Sequence, residues 1–255
     1  MCYDDLARPP IPPGTAGAAQ GSNVELTAAD GNKFAAYLAL PSTTATAQML
    51  IYPDIRGLHQ FYKELALRFA EAGIATIAMD YFGRTAGIGS RDEGFEFWPH
   101  VQQLTQPGVW ADARASLDYL QAQSNAAPNQ FIVGFCMGGS LSLLSGGQNL
   151  GLAGVIGFYA GMSRAIGGGP TLLEAAHEIT TPVLGLFGGA DQGIPVEQVQ
   201  ELEGILAMSG VAHDIKIYPD APYSFFDRRY EEFAADSADA WQQVLGFITA
   251  RSTAT

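Results

Sequence analysis

The chain has 255 residues, 47% of them apolar and only 15% charged, against about 25% charged in an average soluble domain. That balance supports a large buried core and excludes a disordered chain or a charge-laced coiled coil. Thirteen Lys and Arg against 26 Asp and Glu give a formal charge of −13, and the three lysines Lys33, Lys63 and Lys216 are scattered, so neither nucleic acid nor an anionic membrane is an expected partner.

Uncharged stretches such as Phe131 to Leu144 are broken by glycine and serine and fall short of the roughly 18 apolar residues a spanning helix needs. The start, Met1-Cys2-Tyr3-Asp4-Asp5, is acidic where a signal peptide is basic, and a cytoplasmic location is expected. Cys2 and Cys136 are too few for a disulfide framework. Arg8 to Gly21, rich in Pro, Gly and Ala, predicts an extended arm over residues 1–22. Val24 to Thr27 and Lys33 to Leu40 flank Asp30-Gly31, a hairpin-turn signal, and read as an antiparallel pair. Buried strands are expected at Met49 to Tyr52, Ile74 to Met79, Phe131 to Gly134, Gly154 to Phe158, Val183 to Phe187 and Asp214 to Tyr218.

Between them lie helical stripes. Phe61, Leu65, Phe69 and Ala72 make one; Trp110, Ala113, Leu117 and Leu120 make the next, after Pro107-Gly108. Val196 to Leu206 and Tyr230 to Ile248 supply two more. Gly161 to His177 reads as a long loop. Strands alternating with helices behind a hairpin indicate an α/β architecture, a mostly parallel sheet covered on both faces with an antiparallel N-terminal hairpin, as a single domain over 23–255.

The sharpest motif is Gly134-Phe135-Cys136-Met137-Gly138-Gly139, set between a strand and the helical run Ser140 to Leu144. A nucleophile on a strand-to-helix elbow needs small residues two positions away on either side. At a helix start Cys136 would favour thiolate, and the Met137 N–H would face a developing oxyanion; the plain alternative is a packed cysteine. An elbow predicts an acid and then a histidine. Asp191, after strand Val183 to Phe187, is the acid, or else a cap for the helix beginning near Pro195. The loop after the last strand, Pro219 to Arg229, contains no histidine.

These segments resemble the dienelactone hydrolase family, cysteine hydrolases of the α/β-hydrolase fold, over Val24 to Ile248. The likeness rests on the elbow, the Gly188-Gly189-Ala190-Asp191 loop and the tract Tyr218 to Asp227. It implies that the catalytic histidine position falls on Tyr223, that Asp54 interacts with the resting thiol, that Ile55 offers a second oxyanion N–H, and that Arg84 holds a substrate carboxylate with Arg228 as a second contact. For Arg84 a surface ion pair, and for Asp54 a helix cap, are the alternatives. His100 is a candidate substitute base; His59, His177 and His213 read as structural or solvated. No His or Cys spacing suits a metal, and no nucleotide-binding signature is present.

The resemblance thus implies a hydrolase that opens a lactone or ester of a small, carboxylate-bearing substrate through a Cys136 acyl-enzyme, without a cofactor, as a monomer or homodimer. A tyrosine at 223, protonated at neutral pH, is a poor base. Three readings follow: an impaired enzyme, an enzyme using another base, or a pseudoenzyme that binds small carboxylates.

Overall fold

The computed structural model describes residues 6–14, 17–123 and 129–252; Cys2 lies outside them. Eight strands form one sheet in the order β1-β2-β4-β3-β5-β6-β7-β8. The hairpin joins β1 (Ala19–Thr27) to β2 (Lys33–Pro41), turning at Gly31 with φ +88°, and β2 pairs antiparallel with β4 (Ile74–Met79). Around β3 (Ala47–Tyr52), β5 (Gln130–Phe135), β6 (Gly154–Phe158), β7 (Val183–Gly188) and β8 (His213–Tyr218) the pairing is parallel throughout. This is the mostly parallel sheet with an antiparallel N-terminal pair that the sequence predicts. Strands β3, β4, β6 and β7 are buried at every residue, as expected of short apolar runs covered on both faces. At the edge, β8 alternates between exposed and half-buried residues.

The first strand begins at Ala19, so residues 19–22 of the expected arm belong to the sheet. Gln20, Gly21 and Ser22 carry no apolar alternation; their pairing with Leu40, Ala39 and Leu38 of β2 holds them instead. Upstream, Pro9, Pro10 and Pro12 are buried, and the Trp241 indole N–H donates to Pro10 O at 3.0 Å.

Helices α1 (Gln60–Glu71), α2 (Gly83–Ala86), α3 (Trp98–Val101) and α4 (Gln106–Gln123) precede the elbow, and α5 (Met137–Ser145) leaves it. Then come α6 (Leu172–Ala175), α7 (Val196–Met208) and α8 (Ala234–Ser252). Pro107 sits in the first turn of α4, where its missing N–H costs nothing. Tyr230 and Phe233, expected on the last helix, lie in the turns before α8. The indole of Trp241 on α8 meets Phe69 of α1 edge-on at 4.8 Å, so the two helices share an apolar contact on one side of the sheet. All nine residues of α5 are buried, and its serines are satisfied by backbone carbonyls: Ser142 Oγ donates to Ile156 O on β6 at 2.8 Å and Ser145 Oγ back to Leu141 O at 2.8 Å. No helix among the described residues is long and apolar enough to cross a membrane.

Candidate active site

In a parallel sheet, the loops at the carboxyl ends of neighbouring strands converge on one edge. Here that edge carries Asp54 and Ile55 after β3, Cys136 after β5, Tyr159 after β6, Asp191 after β7 and Tyr223 after β8. Cys136 has φ 59° and ψ −119°, a backbone conformation that costs a non-glycine residue of order 1–3 kcal/mol and persists only where the surroundings enforce it. Its neighbours enforce it by close approach. A Cβ on Gly134 would lie 1.9 Å from Gly138 O, and one on Gly138 would lie 2.2 Å from Pro53 O. Because both obstacles are backbone, Gly138→Ala must push the β3–α1 loop off the elbow. Thermal unfolding and thiol alkylation of that variant should both show the damage, and an unchanged melting temperature with unchanged Cys136 reactivity would contradict this account of the turn.

Cys136, Met137 and Ile55 line one cavity of about 740 Å³ together with Tyr159, Tyr223, Trp98, Met162 and Ile194. The N–H groups of Ile55 and Met137 meet no hydrogen-bond acceptor among the described residues, the condition for an oxyanion site. Residues 161–168 of the excursion form one wall, anchored where Ser140 Oγ donates to Gly161 O at 2.7 Å.

Asp191 is 8% exposed. Its Oδ1 accepts the Gly193 N–H at 2.7 Å, while Oδ2 is buried without a hydrogen bond. Burial pushes its pKa up, against the pull of the Gly193 and Ile194 N–H groups. A buried carboxylate oxygen without a hydrogen bond is uncommon in a folded protein. Tyr223 packs instead on Tyr159, ring centroids 5.0 Å apart, and Tyr159 donates its hydroxyl proton to Asp227 Oδ2 at 2.5 Å. Asp227 Oδ1 also accepts the Arg228 N–H. Desolvation raises the Asp227 pKa to about 7.

The structure does not bring Arg84 to this cavity. Its guanidinium contacts Asp30 at 2.5 Å and Asp112 at 2.8 Å, and also donates to Gly108 O. The ion-pair alternative describes it: the fork is filled by carboxylates from the hairpin turn and α4. Arg228 is exposed and its side chain does not line the cavity. His100 stacks on Phe95 at 5.2 Å, away from the lining, although Trp98, Val101 and Gln102 beside it do reach the cavity.

Sequence reasoning missed Arg164. It lies in the excursion, its guanidinium 5.1 Å above the Trp98 ring, and among the described residues lining the cavity it alone carries a formal charge. No periodicity marks that loop, so only its composition signal, an arginine in a cation-poor chain, was available. His59, read as structural or solvated, is buried, with Nε2 3.6 Å from Asp54 Oδ1.

The family model described as the dienelactone hydrolase family matches residues 34–252. The chain belongs to that family. Relatives named "Putative carboxymethylenebutenolidase" include one from Methylorubrum extorquens, 26% identical over 218 residues, covering 82% of this chain and 74% of the relative. One from Synechocystis sp. is 29% identical over 220 residues, covering 83% and 89%. Among solved structures, that of a "Putative Dienelactone Hydrolase" from Klebsiella pneumoniae superposes with a TM-score of 0.79 at 22% identity, over 91% of this chain and 99% of that one. This last likeness speaks for the α/β-hydrolase fold alone.

Proposed function

We propose that this member of the dienelactone hydrolase family hydrolyses ester or lactone bonds of small acids by nucleophilic catalysis at Cys136. Family membership supports the hydrolase class. What supports the cysteine mechanism is one observation: Cys136 sits on a strained elbow facing a cavity that it shares with two N–H groups lacking acceptors.

In this reading the Cys136 thiolate adds to the substrate carbonyl, whose oxygen is held by the Ile55 and Met137 N–H groups. The tetrahedral adduct collapses as the C–O bond breaks and the leaving oxygen takes a proton, which gives a thioester and an alcohol, or an opened ring. Water then hydrolyses the thioester and restores the thiol. A reducing cytoplasm suits such a nucleophile. Tyr223 remains a hydrogen-bond donor to the bound substrate; a phenol that keeps its proton is a poor proton acceptor.

A carboxylate on the substrate is received by Arg164 rather than Arg84. Arg164→Ala should therefore lower kcat/KM for a carboxylate-bearing lactone through KM, by about 1.5–3 kcal/mol for a lost charge-assisted hydrogen bond, and spare a neutral ester. Arg84→Ala should leave that selectivity unchanged and cost about 1–3 kcal/mol of stability, because it strips a partner from the buried Asp112. Steady-state kinetics on the two substrates, with urea unfolding of both variants, separate the roles; equal losses on both substrates in Arg164→Ala would remove that residue from recognition.

A further inference from the structure

The two N–H groups offered to an oxyanion come from different elements, Ile55 from the loop after β3 and Met137 from the first residue of α5. Such donors stabilise developing charge only if their spacing is held before the reaction begins. No strand or helix runs from one to the other, so the backbone alone does not set that spacing. A side chain must tie the loop to the elbow.

Tyr81 is placed to do so. It stands two residues beyond the end of β4, is 1% exposed, and meets the ring of Tyr52 edge-on at 6.0 Å. Its hydroxyl donates to Pro53 O at 2.9 Å, two residues before Ile55. The same oxygen lies 2.7 Å from where a Cβ on Gly138 would stand, one residue after Met137. One buried hydroxyl therefore touches both segments that carry the donors. Burial first, and then neighbouring charges that include Asp54 and Cys136, push the Tyr81 pKa well up, so the hydroxyl keeps the proton that this bond needs.

The far end of the loop is fixed by the residue before it in sequence. Asp80 Oδ1 accepts the Leu58 N–H at 3.1 Å, and Arg91 closes on Asp80 at 2.9 Å. Between them Gly57 turns with φ +84°, where a Cβ would lie 2.6 Å from that carboxylate oxygen. Ile55 is thus pinned from both sides by two successive residues.

We propose that Tyr81 is a positioning residue for the oxyanion site, its hydroxyl fixing the spacing between the Ile55 and Met137 N–H groups. This rests on the reading of Cys136 as the nucleophile. Tyr81 does not line the cavity; it acts through the loop, on the step in which a thiolate electron pair forms the C–S bond and the carbonyl π pair moves onto oxygen. Without the hydroxyl the sulfur still reacts, but the oxygen is poorly received.

The test compares two reactions of Cys136 in the wild-type chain and in Tyr81→Phe, which keeps the ring and its packing. Iodoacetamide alkylates the thiolate at a tetrahedral carbon, expelling iodide without forming an oxyanion. Trifluoroacetophenone accepts the thiolate at its carbonyl carbon and leaves an alkoxide for the two N–H groups to hold. Tyr81→Phe should weaken inhibition by the ketone, and lower kcat toward an activated ester, by on the order of ten- to a hundred-fold, the scale of a slight misplacement of catalytic groups. Alkylation should keep its rate. A merely structural hydrogen bond would lower the melting temperature and leave the ratio of the two reactions unmoved, which would overturn the role of Tyr81. A folded wild-type chain that is not alkylated at Cys136 would overturn the nucleophile reading itself; one that is alkylated but not inhibited by the ketone would contradict the oxyanion site, and the role of Tyr81 with it. Should Tyr81→Phe not fold, amide hydrogen exchange in the wild-type chain decides. The Arg56 and Gly57 N–H groups, bonded to Asp54, and the Ser140 N–H, bonded to Cys136 O, should open with the same response to low urea if loop and elbow are tied. Independent opening of the loop contradicts the tie.

Discussion

Tyr223→His raises kcat/KM toward an activated ester by on the order of 10²–10⁴, the scale on which loss of one triad member leaves only binding and the oxyanion site to act. Asp191 Oδ2 is buried with no hydrogen bond, its carboxylate anchored by the Gly193 N–H, so an imidazole N–H arriving from position 223 would fill a vacant acceptor rather than displace a partner. The phenol cannot substitute, since it carries its own proton and cannot hold the charge of an imidazolium beside the carboxylate. The same substitution should add a limb to the pH profile in the range of a histidine, and Tyr223→Phe should lack it. A Tyr223→His enzyme no faster than wild type would mean that Asp191 does not serve this position.

Asp227→Asn should gain stability relative to wild type as pH rises through neutrality. The folded chain keeps this carboxyl protonated up to about pH 7, while the unfolded chain releases the proton near pH 4. A raised folded-state pKa stabilises fully below the unfolded value and loses that contribution as pH rises through the folded one. Three units amount to about 4 kcal/mol, of which roughly 2–3 kcal/mol is lost between pH 5 and 8. Urea unfolding at those two pH values should therefore show the Asn variant gaining on wild type by that amount at the higher pH. Burial also raises the pKa values of Asp191, Asp80 and Asp112, but they are common to both proteins and cancel in the comparison. A difference that stays constant with pH would show that Asp227 is already ionised in the folded state.

The strands were readable because each buried one is a short apolar run bounded by turn residues, and the elbow because glycines two residues from Cys136 mark a turn that admits no side chain on either flank. What escaped depended on distant partners. Arg84 has the local setting of a ligand-binding arginine, yet its fate is decided by Asp30, 54 residues earlier, and by Asp112, 28 residues later. Arg164 stands in a loop without periodicity, and the fold alone brings it to Trp98. The edge strand at residues 19–22 is held by backbone pairing, which leaves no signature in side-chain alternation.

The most direct test of the cysteine mechanism is acid quenching during turnover of an activated ester, followed by peptide mass spectrometry. Hydrolysis through Cys136 predicts an acyl group on the peptide that contains this residue, none on Cys2, and no acylation or turnover in Cys136→Ala. Turnover that persists in Cys136→Ala, or an acyl group carried by another side chain, would contradict it.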